Sequence, residues 1–181
     1  MRKIVAGLLM SLDGVVESPN EWGFSRYMND EMTRGIIAGI AQADTVLLGR
    51  RTYLGFAEMW PQQSSDVPMA DFLNNSHKYV ASSTLDTLKW QPASLLKGDL
   101  HLELTRLKQQ PGKNIQIPGS PRLVRSLLKE GLLDELSLNI CPVVVGSGMR
   151  LFDGIMNVRL VLASSTTFRN GVLGVTYQPA Q

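Results

Sequence analysis

Cysteine occurs once in the 181 residues, as Cys141, and histidine only twice, as His77 and His101. One thiol cannot close an internal disulfide, and neither histidine has a second histidine or a cysteine at ligand spacing. Disulfide scaffolds and thiolate or imidazole metal cages are therefore excluded, and no metal site is expected. An excess of charge of either sign is also missing: 18 Lys and Arg stand against 16 Asp and Glu, a formal net charge of +2. So even a balance leaves no electrostatic footprint for nucleic acid or a membrane surface. No apolar run reaches the length that spans a bilayer. Arg2 and Lys3 precede the apolar run from Ile4 to Met10 in the manner of an export signal. Asp13 and Gly14 stand where a small-residue cleavage site belongs, so the run reads as a buried strand. With a lone cysteine, the compartment expected is a reducing cytoplasm.

What is present is an alternation of strand and helix patterns. Asn29 is placed to cap a helix whose Met32, Ile36, Ile37 and Ile40 fall at helical spacing, ending near Ala43. Thr45 to Gly49 reads as a buried strand, Met69 to Asn75 as a short helix beyond a proline-bounded loop, and Lys78 to Ala81 as another strand. Asp99 caps a helix striped by Leu100, Leu104 and Leu107 and stopped by Pro111-Gly112, after which Ile115 to Ile117 is a strand. Ser120 as N-cap, Pro121 at the first helical position and Gly131 as the stop mark the next helix. Leu136, Leu138 and Ile140 then alternate along a strand. Two last strands, around 160–168 and 172–177, are joined by Asn170-Gly171, a strong hairpin signal. The pattern predicts an α/β fold of three layers: a mixed, mostly parallel central sheet with flanking helices and an antiparallel C-terminal hairpin. With 44% hydrophobic residues and no linker, repeat or low-complexity tract, residues 1–181 are expected to form a single domain.

Nucleophilic chemistry has little to build on. Val145-Gly146-Ser147-Gly148-Met149 lacks the outer glycines of a nucleophile elbow, and Leu151 stands where a dinucleotide fingerprint needs its third glycine, so the segment reads as a tight turn. Cys141 lies in an apolar strand and reads as a buried, inert thiol. Phosphate chemistry is better supplied, at three strand ends. Gly49-Arg50-Arg51-Thr52 brings two guanidiniums and a hydroxyl, Ser82-Ser83-Thr84 brings three hydroxyls, and Ile117-Pro118-Gly119-Ser120-Pro121 passes from a strand through glycine into a helix N-terminus. The first two also have plainer readings, as a surface arginine pair and a polar turn. If the strands are parallel neighbours, all three sites share the sheet edge at which α/β proteins bind ligands. Gly119 and Ser120 suit a pyrophosphate, and Arg50, Arg51, Ser82 and Ser83 a further phosphate. No acid stands at these ends to prefer a free ribose hydroxyl, which favours NADP over NAD.

Three segments, Leu9-Met10-Ser11-Leu12-Asp13-Gly14, Asp44 through Tyr53, and Gly119 through Arg125, resemble the dihydrofolate-reductase-like superfamily. Pro142 through Gly148, followed by Leu151-Phe152, is similar to its branch holding the C-terminal reductase domain of riboflavin-biosynthesis deaminase-reductases. The resemblance implies NADPH as cofactor, hydride transfer to a pterin-like or aminopyrimidine ring, and frequently a homodimer. It also implies places for residues. Ala6 and the segment from Ser11 to Val16, Asp13 included, would lie by the nicotinamide. The loop from Val16 to Phe24, with Trp22, would be a mobile flap. Gly49 to Thr52 with Ser82 and Ser83 would hold the adenosine side, and Gly119, Ser120, Pro121, Arg122 and Leu123 the pyrophosphate.

The ring-binding acid of dihydrofolate reductases lies on the first helix. On the wheel set by Met32, Ile36 and Ile40, Asp30 flanks the apolar face and Glu31 points away, making Asp30 the candidate. An acid there also steadies a first helical turn, and Asp13-Gly14 also suits a plain turn. The alternative to an enzyme is a nucleotide-binding or regulatory module that keeps the phosphate cradle without catalysis. A homodimer is further suggested by the apolar strand through Leu136, Leu138 and Ile140 and by the late hairpin. A second copy would protect an uncovered edge there, unless the loop from Phe152 to Val158 covers it.

Overall fold

Strands that are apolar on both faces must be covered on both, and the helices between them carry the stripes that do so. In the computed structural model, which describes residues 1–180, the strands are β1 (Ile4–Ser11), β2 (Ala43–Gly49), β3 (His77–Ala81), β4 (Ala93–Leu96), β5 (Asn114–Ile117), β6 (Glu135–Cys141), β7 (Leu160–Thr167) and β8 (Leu173–Pro179). The helices are α1 (Asp30–Ile40), α2 (Arg50–Met59), α3 (Ala70–Asn75), α4 (Leu100–Gln109) and α5 (Pro121–Lys129). All the strands join one sheet in the order β4-β3-β2-β5-β1-β6-β8-β7. Pairing is parallel from β4 to β6 and antiparallel for β6–β8 and β8–β7.

Side-chain alternation assigns the two faces. Ile4, Ala6 and Leu8 of β1, Leu47 of β2, and Ile115 and Ile117 of β5 pack under α4 and α5, against Leu104, Val124 and Leu127. On the other face, Val46 and Leu48 of β2 and Val80 of β3 pack under α2 and α3, against Tyr53 and Leu73. Met32 of α1 packs on the same side, near the far end of the sheet, with Cys141, Phe168 and Val172. The central strands β5 and β1 are left uncovered between α1 and α2. Among the described residues no helix is long and apolar enough to cross a membrane.

Several local readings hold in detail. Asn29 Oδ1 accepts from the Met32 amide at 2.8 Å and Asp99 Oδ1 from the Leu102 amide at 3.2 Å, so both helices start where their caps stand. Gly131, at φ 68°, terminates α5. The hairpin turns through Phe168 to Val172, with Asn170-Gly171 inside it and a Val172 carbonyl accepting from the Phe168 amide at 2.9 Å. Burial pushes the Cys141 thiol up to about 11, in keeping with an inert sulfur.

Three expectations need correction. β4 was not foreseen, because Ala93-Ser94-Leu95-Leu96 is a half-buried edge segment without apolar alternation. The strand through Leu136, Leu138 and Ile140 is interior, between β1 and β8, so it exposes no edge; the edges are β4 and β7. Ser120 precedes α5 but does not cap it with its side chain, because its backbone is left-handed at φ 64° and its hydroxyl turns elsewhere. The α5 stripe is the main support of its layer. Leu127→Ala is expected to lower unfolding free energy by about 2–5 kcal/mol in chemical denaturation, because Leu127 is fully buried. Ile37→Ala, on the exposed side of α1, should change it by about 0.5 kcal/mol or less.

Candidate active site

The gap over β5 and β1 is a cleft of about 1180 Å³. Its floor includes Val5, Gly7 and Leu9 of β1 and Gln116 of β5. Met32, Gly35, Ile36 and Gly39 of α1 form one wall, and Thr52, Gly55 and Phe56 of α2 the other. The segment Val16 to Asn20 borders it as well.

At the C-terminal ends of β2 and β5 the cleft meets two strand-to-helix turns side by side. The Gly49 amide donates to Ser120 Oγ at 2.8 Å, tying the turns together. Neither α2 nor α5 carries a side-chain cap, in contrast to α1 and α4. Their first-turn amides have no intrahelical acceptors, so two positive helix ends open on one place. Gly119, at φ 139°, passes close to α2: a Cβ there would stand 3.3 Å from Thr52 Cγ2. Arg50, Arg51 and Arg122 are exposed around this end, and Gly49, Thr52, Ser120, Pro121 and Leu123 line it with them. Paired amide donors, small residues and guanidiniums are what a dinucleotide pyrophosphate requires, so the residues fit such a cofactor.

The segment that follows Val16 is anchored at its base. The Val16 amide donates to the Met149 carbonyl at 3.0 Å, and Glu17 Oε2 accepts from the Met149 amide at 3.1 Å. Val16 is buried in the cleft wall. Trp22 Nε1 donates to the Glu17 carbonyl at 3.2 Å, and its ring packs toward Met32 and Phe168.

Other candidates fall outside the cleft. The Ala6 side chain is fully buried on the opposite face, under α4 and α5. Asp30 is exposed on the first turn of α1, where Met32 and Ile36 take the inner positions. Ser82 Oγ closes its own turn by accepting from the Thr84 and Leu85 amides at 3.2 and 3.1 Å, and Ser83 is exposed beside it. The polar-turn reading of that segment is the one the geometry follows. The Asp13 carboxylate faces the segment between β6 and β7, accepting from Ser11 Oγ at 2.7 Å and from the Val145 and Gly146 amides at 3.0 and 2.9 Å. Those bonds, the Ser11 hydroxyl foremost, hold it far below its ordinary value of 3.8. A carboxylate so engaged carries no proton to give near neutrality. Gln116 and Gly7 were missed; the one available signal was a polar residue centred in the apolar strand Ile115-Gln116-Ile117.

Asp13 thus holds a loop, and its pH dependence follows. A depressed acid contributes stability that is complete above its unfolded value of 3.8 and drains as pH falls toward the lower folded value. Opening free energies from hydrogen exchange at the Val145 and Gly146 amides should stay level from neutrality to about pH 4. Asp13→Ala should raise exchange at those two amides about ten-fold or more, with less change in the β1 and β5 amides.

Comparison with known proteins places this architecture. Residues 2–174 match the family described as RibD C-terminal domain. The uncharacterized protein YyaP of Bacillus subtilis is 30% identical over 97% of this chain and 94% of its own. Among solved structures, a protein of Shewanella sp. PV-4 assigned to riboflavin biosynthesis superposes with TM-score 0.77 at 20% identity, covering 100% of both chains. A Thermotoga maritima diaminohydroxyphosphoribosylaminopyrimidine deaminase/5-amino-6-(5-phosphoribosylamino)uracil reductase follows at TM-score 0.69 and 15% identity, over 99% of this chain and 57% of that one. The Enterococcus faecalis dihydrofolate reductase, complexed with NADP(H), gives TM-score 0.55 at 15% identity over 99% and 97%. The mixed sheet, its reversed C-terminal pair and a match over nearly the whole length agree: the chain belongs to the RibD C-terminal domain family, with a dihydrofolate-reductase-like fold.

Proposed function

We propose that this chain is an NADPH-dependent reductase of a flat nitrogen heterocycle of the pterin or aminopyrimidine class. The observation that carries the reading is the pair of uncapped helix N-termini, α2 and α5, tied by Gly49 and Ser120 and ringed by Arg50, Arg51 and Arg122 at the mouth of a long cleft. It is supported by the family and by the reductases among the structural neighbours, one of them complexed with NADP(H).

When bound, NADPH would supply the hydride for reduction of the substrate, with the accompanying proton coming from water. This chain's part is placement. The first-turn amides of α2 and α5 hold the pyrophosphate, and the arginines neutralise phosphate charge. The gap between α1 and β1–β5 takes the ring, and the Val16 to Asn20 segment shuts out bulk water. A binding or regulatory module without turnover is the second reading. It is favoured by one observation, that neither Asp30 nor Asp13 presents a carboxylate to the cleft. Hydride-transfer assays following NADPH absorbance with dihydrofolate, biopterin-like and aminopyrimidine substrates separate the two. Turnover of one establishes the reductase; NADPH binding with none turned over favours the module.

The partner expected besides substrate is a second copy. β7 is an edge strand exposed along nearly its whole length, with Val161 and Leu162 57% and 50% exposed, and such an edge invites pairing. Sedimentation at micromolar concentration should give a dimer of the 20.0 kDa chain; a concentration-independent monomer would remove it. For cofactor choice, Arg51→Ala should weaken NADPH about ten-fold and NADH less than about two-fold in calorimetry. Equal losses would assign the arginine to the shared pyrophosphate.

A further inference from the structure

Gln116 lies on the cleft floor, beside the β6 residues Ser137 and Asn139. It is 8% exposed and sits between the fully buried Ile115 and Ile117, whose side chains pack on the opposite face. Its carboxamide lies over Gly7, with Nε2 only 3.1 Å from where a Cβ on that glycine would be. Among the described residues, nothing hydrogen-bonds to this side chain. Three nearby polar groups are already engaged. Glu17 accepts from the Met149 amide at 3.1 Å, and Glu135 from Lys3 Nζ at 3.1 Å and Gln178 Nε2 at 3.2 Å. Ser137 pairs with Thr176 at 3.1 Å. The carboxamide has no protein partner among the described residues and opens into the cleft, where an entering polar group can pair with it.

Resting on the heterocycle-reductase reading, we infer that Gln116 is the specificity-determining residue for the substrate ring. Its carboxamide pairs with a neutral ring edge that carries one donor beside one acceptor, as a lactam N–H and C=O do. The fit is both geometric and chemical. Gly35 and Gly39 of α1 have nothing within 4 Å of a built Cβ, which leaves flat space opposite the floor. The inner wall of α1, Met32, Gly35, Ile36 and Gly39, offers no carboxylate. A carboxylate would select a protonated amidine edge with two donors; a carboxamide offers one donor and one acceptor in a plane and needs no protonation of the ring. Gly7 serves by absence, since any side chain there would push the carboxamide aside.

The test is calorimetric titration of two probes, 6-aminouracil and 2,4-diaminopyrimidine, at a pH that protonates the diamine, with and without saturating NADPH. Wild type, Gln116→Leu, Gln116→Glu and Gly7→Ala are compared. Expected is a loss of about ten-fold or more in 6-aminouracil affinity for Gln116→Leu and Gly7→Ala, with NADPH affinity held within about two-fold. Gln116→Glu should shift the ratio of the two affinities toward the diamine by about ten-fold or more, a reversal that a merely structural side chain would not produce. An unchanged ratio in Gln116→Glu, a wild type that binds neither probe, or a Gln116→Leu loss confined to NADPH each overturns the inference. If wild type binds 6-aminouracil through Gln116 but no NADPH, the cofactor reading fails and the ring-recognition role stands.

Discussion

One hydrogen bond sets the geometry of the proposed cofactor end: the Gly49 amide to Ser120 Oγ, 2.8 Å long, between two turns far apart in sequence and adjacent in space. The parallel pairing of β2 with β5 brings the turns together, and the left-handed backbone of Ser120 aims its hydroxyl across at β2 rather than back along α5. A serine spent on this tie cannot also cap its helix. Both helix ends therefore remain open, and their positive poles add where Arg50, Arg51 and Arg122 gather. On the proposed function, a bound polyphosphate would complete these open first-turn amides.

The rest of the cleft follows from how helices are shared between faces. α4 and α5 cover one face continuously, while α1 and the α2–α3 pair stand apart on the other, so β5 and β1 are bare between them. Glycine at position 7 and at Gly35 and Gly39 keeps that space open without a cavity having to be cut into the core. The border of the space is held by a different device. Asp13 clamps the Val145-Gly146 turn, and Glu17 and Val16 engage Met149, so the segment after Val16 starts from a fixed base.

Much of this was legible in the chain, for identifiable reasons. Caps such as Asn29 and Asp99, the Pro121 start and Gly131 stop of α5, and Asn170-Gly171 act through local sterics and local hydrogen bonds, which a sequence displays directly. The meeting of the Gly49 and Gly119 turns followed from parallel order. What escaped depends on which way a side chain points once tertiary pairing is fixed. Asp30 looked like the wall of a site and faces solvent, because one helical position separates an inner from an outer residue. Asp13, expected beside the nicotinamide, clamps a loop, and two of its partners, the Val145 and Gly146 amides, lie more than a hundred residues away. Gln116 gave its signal only as a polar residue in an apolar strand, and its meaning waited on Gly7 in the neighbouring strand.

On the proposed function, the two open helix ends, joined by Gly49 and Ser120, receive the cofactor's phosphates. Amide chemical-shift titration of the whole chain with NADPH tests it directly. The largest shifts are expected at Arg51, Thr52, Arg122 and Leu123, saturating together with one affinity. Binding that leaves these four amides unmoved, or that moves one helix end and not the other, would contradict it.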